Sequence, residues 1–237
     1  MTGRRLARRL SPGFVAALSA ALAACTSSTP SEQPVPETPP SVVAGTPDPA
    51  VAAAVLSEPP VVENPATVTG VAPAPSDDVP AIIVLEPAVG SAYRAPLDRP
   101  MMDQVATRFT PAAMVVRTGE PADFRNDDDK LHNVRVRERG QPADTLEFNI
   151  ALSQGVTYDH TFGKDGVWDV RCDMHQSMYG LVVSTQSPFT AVAAPDRTFT
   201  IGGLPPGDYT AVAYTSRERY ETPLHLKPGE QVKLAFP

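Results

Sequence analysis

From about residue 66 onward, this chain of 237 residues predicts an all-β sandwich. Runs rich in β-branched and apolar residues are short: 81–85, 113–117, 133–137, 156–162, 167–172 and 180–184. Gly, Pro and Asp separate them, and no stretch sustains apolar residues at helical spacing. Closely spaced short strands of this kind bury their apolar side chains by stacking sheet on sheet.

The N-terminal part reads differently. Arg4, Arg5, Arg8 and Arg9 precede an apolar run over 14–24, which is too short for a permanent membrane span and reads as an export signal. Leu22, Ala23, Ala24 and Cys25 resemble the bacterial lipobox, which predicts cleavage after residue 24 and acylation of Cys25. Residues 25–65, rich in Pro, Ala, Thr and Ser, offer little to bury and predict a disordered, polyproline-like tether. Loss of the leader would take the formal charge from −7 to −11. With no Lys or Arg between Arg9 and Arg94, the tether has no charge with which to hold nucleic acid or an anionic surface. Attachment to a membrane would come from the lipid, and Thr26, in place of a retaining Asp, predicts sorting to the outer membrane.

Acylation of Cys25 leaves Cys172 without a disulfide partner in an oxidising compartment. An inert thiol, a nucleophile and a metal ligand are then the open readings. Strand parity puts Trp168, Val170 and Cys172 on one face, and His132, Val134 and Val136 on another inward face. The Gly163–Gly166 stretch, GKDG, predicts a hairpin turn into the Cys172 strand. One thiolate, two imidazoles and a thioether are the donor set that copper favours: three strong ligands near a plane and a weak axial Met. Cys172, His175 and Met178 follow at three-residue intervals, and His132 comes from a distant strand. Met174 is a rival axial donor, and zinc a rival metal. Asp127, Asp128 and Asp129 lack the spacing of a calcium loop and read as a solvated turn. His160 and His225 read as packed or surface side chains, too few and too scattered for a second copper centre.

The segments FRNDDDKLHNV (124–134) and GVWDVRCDMHQSM (166–178) resemble the cupredoxin family of type 1 blue-copper proteins, with the short amicyanin-type loop. The resemblance implies a Greek-key sandwich over about 98–186 and one type 1 copper. It further implies His132, Cys172 and His175 as equatorial ligands, Met178 as axial ligand, and Asn133 as the side chain tying the two ligand loops together.

Residues 187–237, with LPPGDY at 204–209, resemble carboxypeptidase-regulatory-like (prealbumin-type) strands, and 66–97 resemble the first hairpin of that module. Two arrangements are open: the flanks form a small sandwich around an inserted copper domain, or they extend one larger β-domain. The functional expectation is a lipid-anchored, non-enzymatic carrier of single electrons facing the periplasm. Its expected partner is a redox protein, either a cytochrome or a dehydrogenase, and not a nucleic acid. A copper carrier or sensor, or a partner-binding surface lipoprotein, is the alternative.

Overall fold

Sixteen strands and no helix make up residues 62–89 and 99–236, the parts that the computed structural model describes. The leader, Cys25 and nearly all of the expected tether lie outside the described residues. The first two strands, β1 (Ala66–Val71) and β2 (Ile82–Pro87), precede a run of nine: β3 (Met101–Val105), β4 (Arg108–Thr110), β5 (Ala113–Arg117), β6 (Pro121–Asn126), β7 (His132–Glu138), β8 (Phe148–Leu152), β9 (Thr157–Thr161), β10 (Gly166–Arg171) and β11 (Tyr179–Thr185). Five more close the chain: β12 (Thr190–Val192), β13 (Thr198–Leu204), β14 (Gly207–Tyr214), β15 (Arg219–Leu226) and β16 (Gln231–Ala235).

These strands form four sheets, ordered β13-β1-β16, β12-β2-β14-β15, β5-β11-β10-β7-β8 and β4-β3-β6-β9. The first two are built entirely from the flanks, and the last two entirely from residues 101–185. Three apolar clusters lie between successive sheets. Val68, Phe199 and Ile201 meet Ile83, Leu85, Ala211 and Ala213 in the first. Ile82, Val84, Val212 and Tyr214 meet Ala113, Leu181 and Val183 in the second. Val134, Val136, Trp168, Val170 and Val182 meet Met102, Ala122 and Phe124 in the third.

The layering explains why some strands alternate and others do not. β2 reads IIVLEP because its odd and even positions enter different clusters, and its first four residues are all buried. In β11 all seven residues are buried, Val182 toward one side and Leu181 and Val183 toward the other. A strand covered on both faces has no solvent side to mark with polar residues. Glycine in β1 has a similar origin: a Cβ at Gly70 would come within 2.6 Å of the Phe199 ring.

Two expected hairpins are instead crossings between sheets. β1 and β2 do not pair, because the Pro-rich segment 72–81 carries the chain from the first sheet to the second, with Asp77 and Asp78 in the left-handed region at φ 55° and 58°. Likewise β9 pairs with β6 while β10 pairs with β7 and β11, so the 163–166 turn passes from one sheet of the 101–185 segment to the other.

Candidate metal centre

His132 opens β7 and Cys172 directly follows β10, so two adjacent antiparallel strands bring them to the same end of one sheet. The imidazole of His132 is fully buried, and Cys172 is 3% exposed. The segment from Cys172 to Met178 turns back into β11, with the Met178 N–H donating to the His175 carbonyl at 2.9 Å. This turn swings His175 over Cys172. Sγ of Cys172 lies 3.7 Å from Nδ1 of His132 and 3.7 Å from Nδ1 of His175. The three donor atoms all lie within 4.8 Å of one another.

These distances fit a shared metal. With bonds of about 2.3 Å to sulfur and about 2.0 Å to nitrogen set near 120° apart, sulfur and nitrogen would be separated by about 3.7 Å. A thiolate with two imidazoles in that plane is the equatorial set of a type 1 copper site. Met178 is 1% exposed and packs in the same cluster as Cys172, whereas the rival Met174 is 47% exposed.

The surroundings hold these side chains in one arrangement. Asn133 donates through Nδ2 to the Asp173 carboxylate at 2.9 Å and to Oδ1 of Asn149 at 2.8 Å. Its Oδ1 accepts the Asp173 N–H at 2.7 Å, so the loop after Cys172 is bound to β7 and β8. The fully buried Gln104 donates to the Asn133 carbonyl at 3.2 Å, bracing it from β3. Nothing in the sequence around Gln104 pointed to this contact, which reaches from β3 in one sheet to β7 in the other.

The Asp127–Asp129 stretch is not merely a solvated turn. Oδ2 of Asp128 lies 3.0 Å from Nε2 of His132, and the side chain is only 12% exposed. Its carboxylate accepts the Thr107 N–H at 2.8 Å and the Asp129 N–H at 3.2 Å. The Thr107 N–H is available because Ala106 and Thr107 turn the chain through the left-handed region, at φ 50° and 58°. That hydrogen bond, then the one from His132, holds the Asp128 carboxyl below its ordinary pKa. A proton on Nε2 of His132, donated to this carboxylate, leaves the Nδ1 lone pair facing Cys172. Outside the site, His160 pairs with Glu147 at 2.9 Å and His225 with Asp208 at 2.6 Å.

Residues 100–185 match the family of copper binding proteins described as plastocyanin/azurin. This segment is a cupredoxin domain. Solved structures similar to part of this chain include the following three. A purple cupredoxin from Nitrosopumilus maritimus is 22% identical, aligned over 36% of this chain and 99% of its own, with a TM-score of 0.32. A reduced amicyanin variant is 19% identical over 43% of this chain and 99% of its own, with a TM-score of 0.34. A copper-containing nitrite reductase from Thermus scotoductus SA-01 is 22% identical over 42% of this chain and 25% of its own, with a TM-score of 0.33. No curated protein matches the chain. The cupredoxin domain carries one group of three metal-capable His, Cys, Asp or Glu side chains among the described residues, and that group fits a single type 1 copper.

Proposed function

We propose that the chain is a lipid-anchored mononuclear blue-copper protein that carries single electrons in the bacterial envelope. The observation that supports this best is the equidistant placement of the two Nδ1 atoms about the Cys172 thiol, with the Met178 side chain buried beside it. His132, Cys172 and His175 act as equatorial ligands and Met178 as the axial one. Bound copper supplies a one-electron couple between its cupric and cuprous states. The chain's contribution is to keep four side chains in place through that change: His132 through Asp128, Cys172 through its strand, and the loop through Asn133.

Of the three equatorial donors only His175 is partly exposed, and the neighbouring Leu131 and Met174 are 53% and 47% exposed. The His175 edge is therefore the shortest way for an electron to leave through the loop. Anchoring rests on Cys25 and the leader that precedes it.

Protein starting after Cys25 should bind one copper per chain and turn blue on oxidation through charge transfer from the Cys172 thiolate, while Cys172→Ser should be colourless. Wild-type protein that binds zinc tightly and stays colourless with cupric ion would overturn the reading. Mixing the reduced copper form with a cuprous chelator of moderate affinity separates shuttle from carrier, since a shuttle keeps its metal in both states and a carrier surrenders it. Anchoring has its own measurement: labelled fatty acid should enter the wild type in a bacterial host and be absent from Cys25→Ala.

A further inference from the structure

One turn of the flanking strands reaches the end of the metal loop. Met178 lies just before β11 and packs in the cluster around Cys172, whereas Tyr179, the first residue of that strand, is 6% exposed and packs against the flanks. The Tyr179 hydroxyl donates to Oδ1 of Asp169 at 2.6 Å and lies 3.1 Å from the Ser216 carbonyl oxygen. Arg139 completes the cluster. Its guanidinium donates to Asp169 at 2.7 Å, to the Thr215 carbonyl at 2.8 Å, to the Ser216 carbonyl at 3.0 Å and to the Tyr179 hydroxyl at 3.1 Å. Arg139 and Tyr179, held together by Asp169, thus grip two main-chain oxygens of the turn between β14 and β15.

That turn is itself anchored to the link between β1 and β2. The Ser216 hydroxyl lies 3.0 Å from the Ser76 carbonyl oxygen and 3.1 Å from the Asp77 carboxylate, and Arg217 pairs with Asp77 at 3.1 Å. Both ends of the metal loop meet at Tyr179: Met178 precedes it in the chain, and Arg171, the neighbour of Cys172, is paired with it across the strands and sets its guanidinium 4.0 Å from the ring centre.

Packing alone does not supply this hold. Aliphatic side chains such as Ile82, Leu181 and Val212 already fill the interface between the flanks and the 101–185 segment, and a part-buried ionic cluster adds little net stability to such packing. On another side the 177–179 stretch borders an open groove of about 310 Å³, walled by Asp77, Thr110 and Pro111. A loop end with open space beside it keeps one position only where surrounding hydrogen bonds fix it.

We propose that the 215–218 turn positions Met178 through Tyr179, so that the flanking strands set how firmly the thioether is held beside Cys172. This deepens the electron-carrier reading, and only its consequence for the reduction potential rests on that reading. A thioether free to swing away acts less on the metal, which favours the cuprous state.

Two neutral substitutions, one on each side of the contact, test the proposal. In the metal-free full chain, Tyr179→Phe and Ser216→Ala should each speed hydrogen exchange of the Met178 amide, which donates to the His175 carbonyl. The rise should be up to about tenfold, the effect of about one net hydrogen bond. Exchange at Val182, deeper in β11, should stay as in the wild type. In the copper-loaded chain both substitutions should raise the reduction potential by less than Met178→Leu does, and in a Met178→Leu background Tyr179→Phe should add nothing.

Unchanged exchange at Met178 overturns the proposal, and so does an equal rise at Met178 and Val182, which would mean a role in stability alone. A response to Tyr179→Phe without one to Ser216→Ala also overturns it, because Asp169 would then be the whole anchor. An unchanged potential in a blue protein, or a shift that is the same with and without the Met178 thioether, has the same consequence. A chain that binds no copper, yet shows faster Met178 exchange in both variants, keeps the positioning role and removes only the copper reading.

Discussion

One carboxylate selects which nitrogen of His132 faces the thiol. With Asp128 accepting from Nε2, the imidazole has a single orientation and a single tautomer available for a metal. The negative charge would also favour the more positively charged state of a bound copper, so its loss should favour the cuprous form. Asp128→Asn is expected to weaken copper binding by about 10- to 100-fold, the usual cost of removing such a partner, and to raise the reduction potential. Competition with a chelator and protein-film voltammetry check the two effects; an unchanged potential would mean that Asp128 does not act on the metal through His132. Met178→Leu, nearly neutral in volume, should keep copper bound while raising the potential and altering the spectrum, whereas Met174→Leu should do neither. At this scale the sequence pointed to the side chains that the structure gathers, His132, Cys172 and His175, because soft residues at three-residue spacing are rare in a chain with two cysteines. It hid Asp128 and Gln104, whose contacts depend on a turn at 106–107 and on a meeting of two sheets that no local pattern encodes.

Among elements, β2 and β11 carry the most information about the architecture. Their continuous apolar runs were legible as strands, and burial on two sides explains the missing alternation. What could not be read was which sheet a turn leads to. The 72–81 and 163–166 segments have the Gly, Pro and Asp of hairpins, yet each joins strands of different sheets, because turn residues reverse a chain without choosing its next neighbour. Leu181 shows what the middle interface contributes. It is fully buried among residues from both the flanks and the copper-binding segment, and Leu181→Ala should lower stability by about 2–5 kcal/mol in denaturant unfolding. Tyr214 lies in the same interface. Burial raises the pKa of its hydroxyl above the ordinary tyrosine value, with Arg219 opposing and Glu86 adding to the shift. A value raised on folding gives a contribution that is complete below about pH 10 and is lost as pH rises through the folded-state pKa. Tyr214→Phe should therefore show a shallower fall in denaturation midpoint above pH 10 than wild type; parallel curves would mean that Tyr214 does not titrate in this way.

For the whole molecule, the order of strands along the chain matters as much as the copper ligands. β1 and β2 come before the copper-binding segment and β12 to β16 after it, yet they share two sheets, so the segment between them leaves and re-enters one sandwich. The consequence is a shared apolar face: Ala113, Leu181 and Val183 on one side are covered by Ile82, Val84, Val212 and Tyr214 on the other. A fragment limited to residues 99–186 keeps every proposed copper ligand and the cluster around Cys172, but it uncovers that face. The exposed patch would be on the order of a few hundred Å², the range in which monomers associate. The fragment should bind copper with the same colour and yet elute as dimers or larger species in size-exclusion chromatography. Leu181→Thr with Val183→Thr should then act with opposite sign in the two contexts. In the fragment it makes the uncovered face polar and should restore a monomer, while in the full chain it places hydroxyls in an apolar interface without assured partners and should lower the melting temperature. A fragment that is monomeric without these substitutions would mean that the flanking sandwich is not needed to cover the copper domain, and its strands would then have to be explained by a contact of their own.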